Sequence, residues 1–194
     1  MTKCAFIFAA GLLIGAVTML VPPLASHVRA SMNAVHSAGG SAQGAGESTH
    51  TERTFEFTVK LPMEAAAPLF GADQERKWAP GWSPVFLWPA SAKDQQGMVF
   101  TVAHGGKKSV WMAPKFDLAT GSVQYAYVIP DVMVTLITLK ITPQDKWAHV
   151  AVQYDRTALN PAAKDIVLEM ADQDSKAGPE WEKQISDYVN TLPK

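Results

Sequence analysis

The sequence predicts an α+β domain in which one curved antiparallel sheet wraps around a long C-terminal helix. Three observations predict it. "TFEFTVK" (54–60) alternates Phe55, Phe57 and Val59 with Glu56, Thr58 and Lys60, the period-two pattern of a half-buried strand. Apolar, β-prone runs follow at 84–88, 98–103, 109–113, 123–129, 132–142 and 147–155, and "SAKDQQG", "HGGKK", "LATGS" and "TPQD" separate them as turns. The chain then closes on a helical pattern, with Trp181, Ile185, Tyr188, Val189 and Leu192 on one stripe.

Between the first strand and this meander, "LPMEAAAPLFGADQERKW" predicts two short helices. Pro62 fits a first helical turn, and Pro68 and Gly71 break the run. "ERKWAPGWSPVFLW" (75–88) follows and carries Trp78, Trp82 and Trp88, three of the chain's six tryptophans. Trp78 and Trp82 can either wall a cavity mouth or cap the core where the short helices meet the sheet. The cap is the stronger expectation, because buried aromatic rings dominate cores. Glu75, Arg76 and Lys77 then read as a solvated rim. At the other end, Asn160-Pro161 reads as a helix cap followed by proline at the first helical position. Ile166, Val167, Met170 and Ala171 form an apolar stripe, which Gly178-Pro179 interrupts.

The N-terminus reads as an address. Lys3 precedes an uncharged run from Cys4 to Val21, Pro22-Pro23 ends it, and Val28 and Ala30 flank Arg29 as a cut site before Ser31. Residues 1–30 are therefore a signal peptide or an N-terminal membrane anchor, since about 17–25 apolar residues span a bilayer. Either reading puts the domain outside the cytoplasm, exported or tethered through residues 4–21. Residues 31–53 are rich in Gly, Ser and Ala and read as a flexible linker, with His36 and His50 as solvated side chains. The domain is expected to occupy residues 54–194.

Composition removes several functions. Hydrophobic residues make up 47% of the 194, and 17 basic against 18 acidic residues give a formal net charge of −1. With no basic stripe, a nucleic-acid backbone has nothing to hold. Cys4 is the one cysteine, so the domain has no disulfide and no thiolate nucleophile. His104 and His149 lack a His or Cys partner at ligand spacing, so no metal is expected. "GWSPV" and "KKSVW" do not form a serine elbow, and "GGKKS" lacks the phosphate-loop spacing. No cofactor is implied.

Strand parity selects the interior. Met133, Thr135, Ile137, Leu139 and Ile141 face in, because the alternate row carries Lys140. Ala148, Val150, Val152 and Tyr154 form the matching row of the last strand, and Met98, Phe100, Val102 and His104 share a side, as do Val123, Tyr125, Tyr127 and Ile129. The candidate ligand-binding set is thus Trp78, Trp82, Phe100, His104, Met112, Tyr125, Tyr127, Met133, Ile137, Tyr154 and Met170. A Met- and aromatic-rich lining suits an adaptable apolar ligand and suits a plain core equally well.

The order of elements, with "KWAPGW" after the short helices, "GMVFTV" as a central strand, "YAYVIP" leading into "VTLITLKI", "VAVQYDRTAL" as the last strand and a Trp-bearing C-terminal helix, resembles the SRPBCC superfamily of START domains, polyketide cyclases and birch-pollen-type allergens. The resemblance covers about residues 54–192 and is closest to uncharacterised bacterial members. It implies the helix-grip fold with an apolar cavity, but no one ligand. The expected function is an exported binding protein for a small apolar or amphipathic molecule: a lipid, an isoprenoid or an aromatic compound. A cofactor-independent cyclase or dehydratase, using His104 with a tyrosine, and a membrane-tethered interaction module without a ligand are the alternatives.

Overall fold

The structure, a computed structural model, describes residues 48–104 and 107–193, with His104 and Lys107 described by their backbone. The N-terminal run, its cut site and the linker up to residue 47, His36 included, lie outside the described residues.

Seven strands form one antiparallel sheet: β1 (His50–Val59), β2 (Val85–Trp88), β3 (Val99–His104), β4 (Lys107–Asp117), β5 (Ser122–Ile129), β6 (Met133–Gln144) and β7 (Trp147–Ala158). Their order is β1-β7-β6-β5-β4-β3-β2, so each hairpin of the meander pairs with the next and β1 closes on β7. A short helix α1 (Met63–Ala66) and two 3-10 turns, Ala67–Phe70 and Gln74–Lys77, link β1 to β2. Two helices, α2 (Lys164–Asp174) and α3 (Gly178–Val189), follow β7.

β1 starts earlier than expected. His50–Arg53, read from sequence as the end of a linker, already pair with β7, His50 opposite Thr157 and Arg53 opposite Tyr154. "HTER" has no apolar alternation to announce a strand. Polar contacts fix it instead: Ser48 Oγ donates to the Ala158 carbonyl at 2.6 Å, and His50 Nδ1 lies 2.9 Å from Thr157 Oγ1.

Alternation then sorts the faces. Phe55, Phe57 and Val59 of β1 sit opposite Val152, Val150 and Ala148 of β7, and all six are buried. Met133, Thr135, Ile137, Leu139 and Ile141 form the buried row of β6. Burying each large apolar side chain contributes roughly 1.5–3 kcal/mol. This row therefore fixes the β6 register, because a one-residue slip would turn it to solvent.

The C-terminal helix lies on the same inward face, in two pieces. Asn160 Oδ1 accepts from the Ala163 N–H at 3.1 Å and starts it. Val167, Met170, Ala171 and Asp174 face in from α2, and Trp181 and Ile185 from α3. The break at residues 175–177 lets Gly178 approach β1. A Cβ there would lie 3.2 Å from the Glu56 carbonyl and 3.4 Å from the Phe55 ring. Among the described residues, no helix is long and apolar enough to cross a membrane.

Candidate functional site

Two aromatic groups meet between the sheet and α3. Trp82 packs edge-on to Trp111 at 5.3 Å and to Phe100 at 6.0 Å, and Trp111 stacks on Tyr127 at 4.1 Å. Trp181 of α3 lies 5.3 Å from Phe55 and 5.6 Å from Trp78. These offset and edge-on arrangements are the ones ring quadrupoles favour. The short helical segment holds two of the rings: the Trp78 indole N–H donates to the Leu69 carbonyl and that of Trp82 to the Ala72 carbonyl, each at 2.7 Å. "KWAPGW" is thus bonded to the turn that precedes it.

Where the two groups face each other they leave a small hollow, lined by Glu75, Trp82, Phe100, Trp111, Tyr125, Ile137, Leu139 and Trp181. It encloses about 10 Å³, room for about one water molecule. The polar group at this hollow is Glu75, which is only 2% exposed. Its neighbours Arg76 and Lys77 do reach solvent, Arg76 paired with Asp73 at 3.1 Å and Lys77 with Gln74 at 2.6 Å. The expectation of a solvated rim therefore fails at Glu75. The tight 3-10 turn points one residue of the charge run inward and leaves the next two outside. Burial raises the Glu75 carboxyl well above the ordinary carboxylate range, and the nearby charge of Asp94 raises it further. Among the described residues, no hydrogen bond reaches that carboxyl. Asp94 fixes the segment from outside by accepting the Asp73 N–H at 2.9 Å. The Tyr125 hydroxyl donates to the Phe70 carbonyl at 2.8 Å, and burial together with Glu75 pushes its ionisation up, so it stays a neutral donor.

A second buried polar group lies farther along the interior. Arg156 on β7 and Asp174 on α2 are 1% and 3% exposed and form a two-point ion pair. The Arg156 guanidinium also donates to Tyr127 OH and, at 3.1 Å, to Thr135 Oγ1. It lies over the Tyr154 ring, 4.6 Å from its centroid. Burial would lower the guanidinium's pKa, but Tyr127 and the bonded carboxylate outweigh it and raise it. Neither Arg156 nor Asp174 lines the hollow, and Tyr127 links the pair to it through its stack on Trp111. The geometry of the pair suits clamping α2 to the sheet.

No protein-family model matches this sequence, and no curated protein matches it. Known structures do. Ara h 8.0201 superposes at a TM-score of 0.56 with 18% identity, over 74% of this chain and 100% of that one. Norcoclaurine synthase from Thalictrum flavum gives 0.55 with 11% identity, over 86% and 100%. The ZhuI aromatase/cyclase from Streptomyces sp. R1128 gives 0.54 with 14% identity, over 75% and 97%. The chain has the helix-grip fold. At these identities the likeness is one of fold, and it agrees with the architecture expected from the SRPBCC resemblance.

Within this helix-grip domain the expected site residues separate. Trp82, Phe100, Tyr125 and Ile137 line the hollow. Trp78 is buried behind it against Trp181 and Phe70. Tyr127 and Tyr154 belong to the Arg156 group, and Met133 and Met170 are buried core. The side chain of His104 lies outside the described residues. Met112 does not face in. It is 44% exposed, while Trp111 and Ala113 are buried. "SVWMAP" carries apolar residues at both parities, so alternation could not choose between them, and the larger ring took the interior. Trp88, the third tryptophan of the opening segment, is 49% exposed at the sheet edge.

Sequence reasoning missed Glu75, Trp111, Arg156 and Asp174. Arg156 continues the inward row Val150, Val152, Tyr154 by two, and Asp174 lies seven residues beyond Val167 on the helical stripe. A single charge of opposite sign in each of two apolar rows was the available signal. Among the described residues, no group of three or more His, Cys, Asp or Glu could hold a metal ion. A larger recess of about 290 Å³ opens on the outside between the end of β1 and α3. Its walls include Lys60, Glu182, Lys183 and Asp187, and Lys183 already pairs with Asp187 at 2.5 Å.

Proposed function

We propose that this helix-grip domain binds one small apolar or amphipathic molecule between the sheet and the C-terminal helices, outside the cytoplasm, with Glu75 as its polar contact. The observation that carries this reading is Glu75 itself. A carboxyl 2% exposed among tryptophan and tyrosine rings is costly to keep without a bonding partner. A ligand hydroxyl, carbonyl or amine would supply one. Apolar area leaving water contributes about 25 cal/mol per Å², and one placed polar group fixes orientation. The hollow in this conformation holds about one water, so uptake requires the 74–77 turn or α3 to draw back from the sheet. The interior offers rings that can part without exposing an unpaired charge, because the Arg156–Asp174 pair lies outside the hollow.

The test is native mass spectrometry of the protein isolated from its own host, followed by titration with fatty acids, isoprenols and phenols. A co-purifying molecule bound one to one, displaced by a panel member and lost in an Ile137→Phe variant that fills the hollow, is the expected result. No co-purifying molecule, and no one-to-one binding from the panel, overturns the reading.

A second reading has one observation in its favour. Burial raises the Glu75 carboxyl well above the ordinary carboxylate range and so favours its protonated form, and a carboxylic acid in a dry site can serve as the proton donor of a cofactor-independent cyclisation or dehydration. In that case Glu75→Gln would retain ligand binding and lose turnover.

A further inference from the structure

The outward face of an antiparallel sheet is ordinarily polar. Here it is divided. On β1 and β7 it carries Glu52, Glu56, His149 and Asp155, with His149 3.4 Å from Glu56. Toward β2 it is apolar. The paired residues Val85, Thr101, Val110, Val128 and Val134 run across five strands as one row. Beside it run Trp88, Val99, Met112, Ala126 and Leu136. Val85 and Leu87 are 61% and 59% exposed. Scattered exposed apolar residues need no explanation, but a contiguous patch of them marks an interaction surface.

The rim of this patch identifies its partner. Lys108 and Lys115 stand exposed on the same outward side of β4, before and after Val110 and Met112, and Lys140 is exposed on β6. Asp155 stands opposite Leu136 on β7, where the acidic half begins, and Asp117, at the end of β4, accepts the Thr120 N–H at 3.1 Å. Apolar side chains with an exposed tryptophan at the edge and lysines around them match a bilayer interface. The rings enter the headgroup boundary, and the lysine stems reach back to phosphate. Lys108, Lys115 and Lys140 border the apolar rows, with Asp155 as the first acid on the β7 side, and a cationic border of this kind suits a polyanionic surface. We propose that the outward face of β2 to β5 is a docking surface for an anionic lipid bilayer. Docking by this face leaves the inward site and its helices on the opposite side of the sheet. It is independent of what the hollow binds, and it differs from any tether through residues 4–21, which would hold the chain near a membrane without choosing a face.

The experiment separates those two. The full chain with Cys4→Ser, carrying Leu87→Cys in one variant and Thr54→Cys in another, is labelled with an environment-sensitive fluorophore and reconstituted into phosphatidylglycerol–phosphatidylethanolamine vesicles. Both positions are exposed on the outward face, one in the apolar half and one in the acidic half, so neither substitution disturbs the core. The label at position 87 should shift to the blue and be quenched by lipids spin-labelled in the acyl chain, and the label at position 54 should not. Replacing phosphatidylglycerol with phosphatidylcholine should release it. Lys108→Gln and Lys115→Gln should each lower the docked fraction by about fivefold. Equal, weak quenching at both positions would mean a tether without docking and overturns the proposal. Shielding at position 87 that appears without vesicles and rises with protein concentration would mean pairing of two copies, and overturns it as well.

Discussion

Arg156 and Asp174 join β7 to α2 through two short parallel bonds, Nε to Oδ2 at 2.6 Å and Nη2 to Oδ1 at 2.7 Å, in a place almost sealed from solvent. Two charges taken from water are expensive, and good geometry with extra bonds to Tyr127 and Thr135 offsets that cost without making the pair a large net stabiliser. Removing one partner is a different matter. Asp174→Asn leaves the guanidinium uncompensated and should destabilise the domain by about 3–5 kcal/mol. The double replacement Arg156→Met with Asp174→Leu should recover most of that loss. Urea unfolding of the native protein and the two variants checks this. Equal losses in the single and double variants would show that the pair is not acting as a unit.

Glu75 makes stability depend on pH in a stated direction. Its folded-state pKa is raised by burial and by Asp94, so the folded state holds the proton more tightly than the unfolded chain does. Between the unfolded carboxylate pKa near ~4.3 and the raised folded value, folding is therefore weakened as pH rises. The contribution is whole below the unfolded value, and it is lost as pH climbs through the folded one. Glu75→Gln removes the titration. The variant should match the native protein near pH 4 and be the more stable of the two at pH 8. Thermal melts across that range check it, and parallel curves for the two proteins would contradict it.

The sheet and its interior rows were legible because strand alternation reports burial directly. The inward assignments of Ile137, Leu139, Val150 and Val152 follow from Lys140, Gln153 and their parity, and all four are buried. The hollow was legible in part, through Trp82, Phe100, Tyr125 and Ile137. What escaped reading were the residues that break a pattern. Glu75 sits in a charge run and turns inward because a 3-10 turn of four residues has no periodicity to read. Arg156 looked like the end of a strand that in fact continues to Ala158. Trp111 and Met112 stand side by side with equal claims, and cross-strand stacking on Tyr127 decides between them. That same double apolar parity on β4 is what leaves the outward face apolar.

Thr101 lies on that outward face between Val85 and Val110, yet is only 3% exposed. Its Oγ1 is buried with no hydrogen-bond partner among the described residues. A buried hydroxyl left unbonded costs about 1–3 kcal/mol, and valine has nearly the same shape and prefers strands. Thr101→Val should therefore stabilise the domain by about 1 kcal/mol, raising Tm by about 3 °C. Differential scanning calorimetry checks it. A lowered Tm would mean that the hydroxyl has a partner in solution.

Phenylalanine would treat the ring packing and the N–H bond of Trp82 differently. The Trp82 ring packs edge-on to Trp111 at 5.3 Å, and its N–H bonds the buried Ala72 carbonyl at 2.7 Å. Trp82→Phe keeps an aromatic ring against Trp111 and strands the carbonyl, so most of its cost is that of an unmet acceptor, about 1–3 kcal/mol. The smaller ring also widens the hollow beside Glu75, so the variant should lose stability while taking up a bulkier ligand than the native protein. Trp88→Phe is the control. That ring is 49% exposed at the sheet edge, and the change should move stability by no more than ~0.5 kcal/mol. Urea midpoints rank the two variants. A Trp88→Phe loss as large as that of Trp82→Phe would place the structural anchor at the sheet edge instead of in the "KWAPGW" turn.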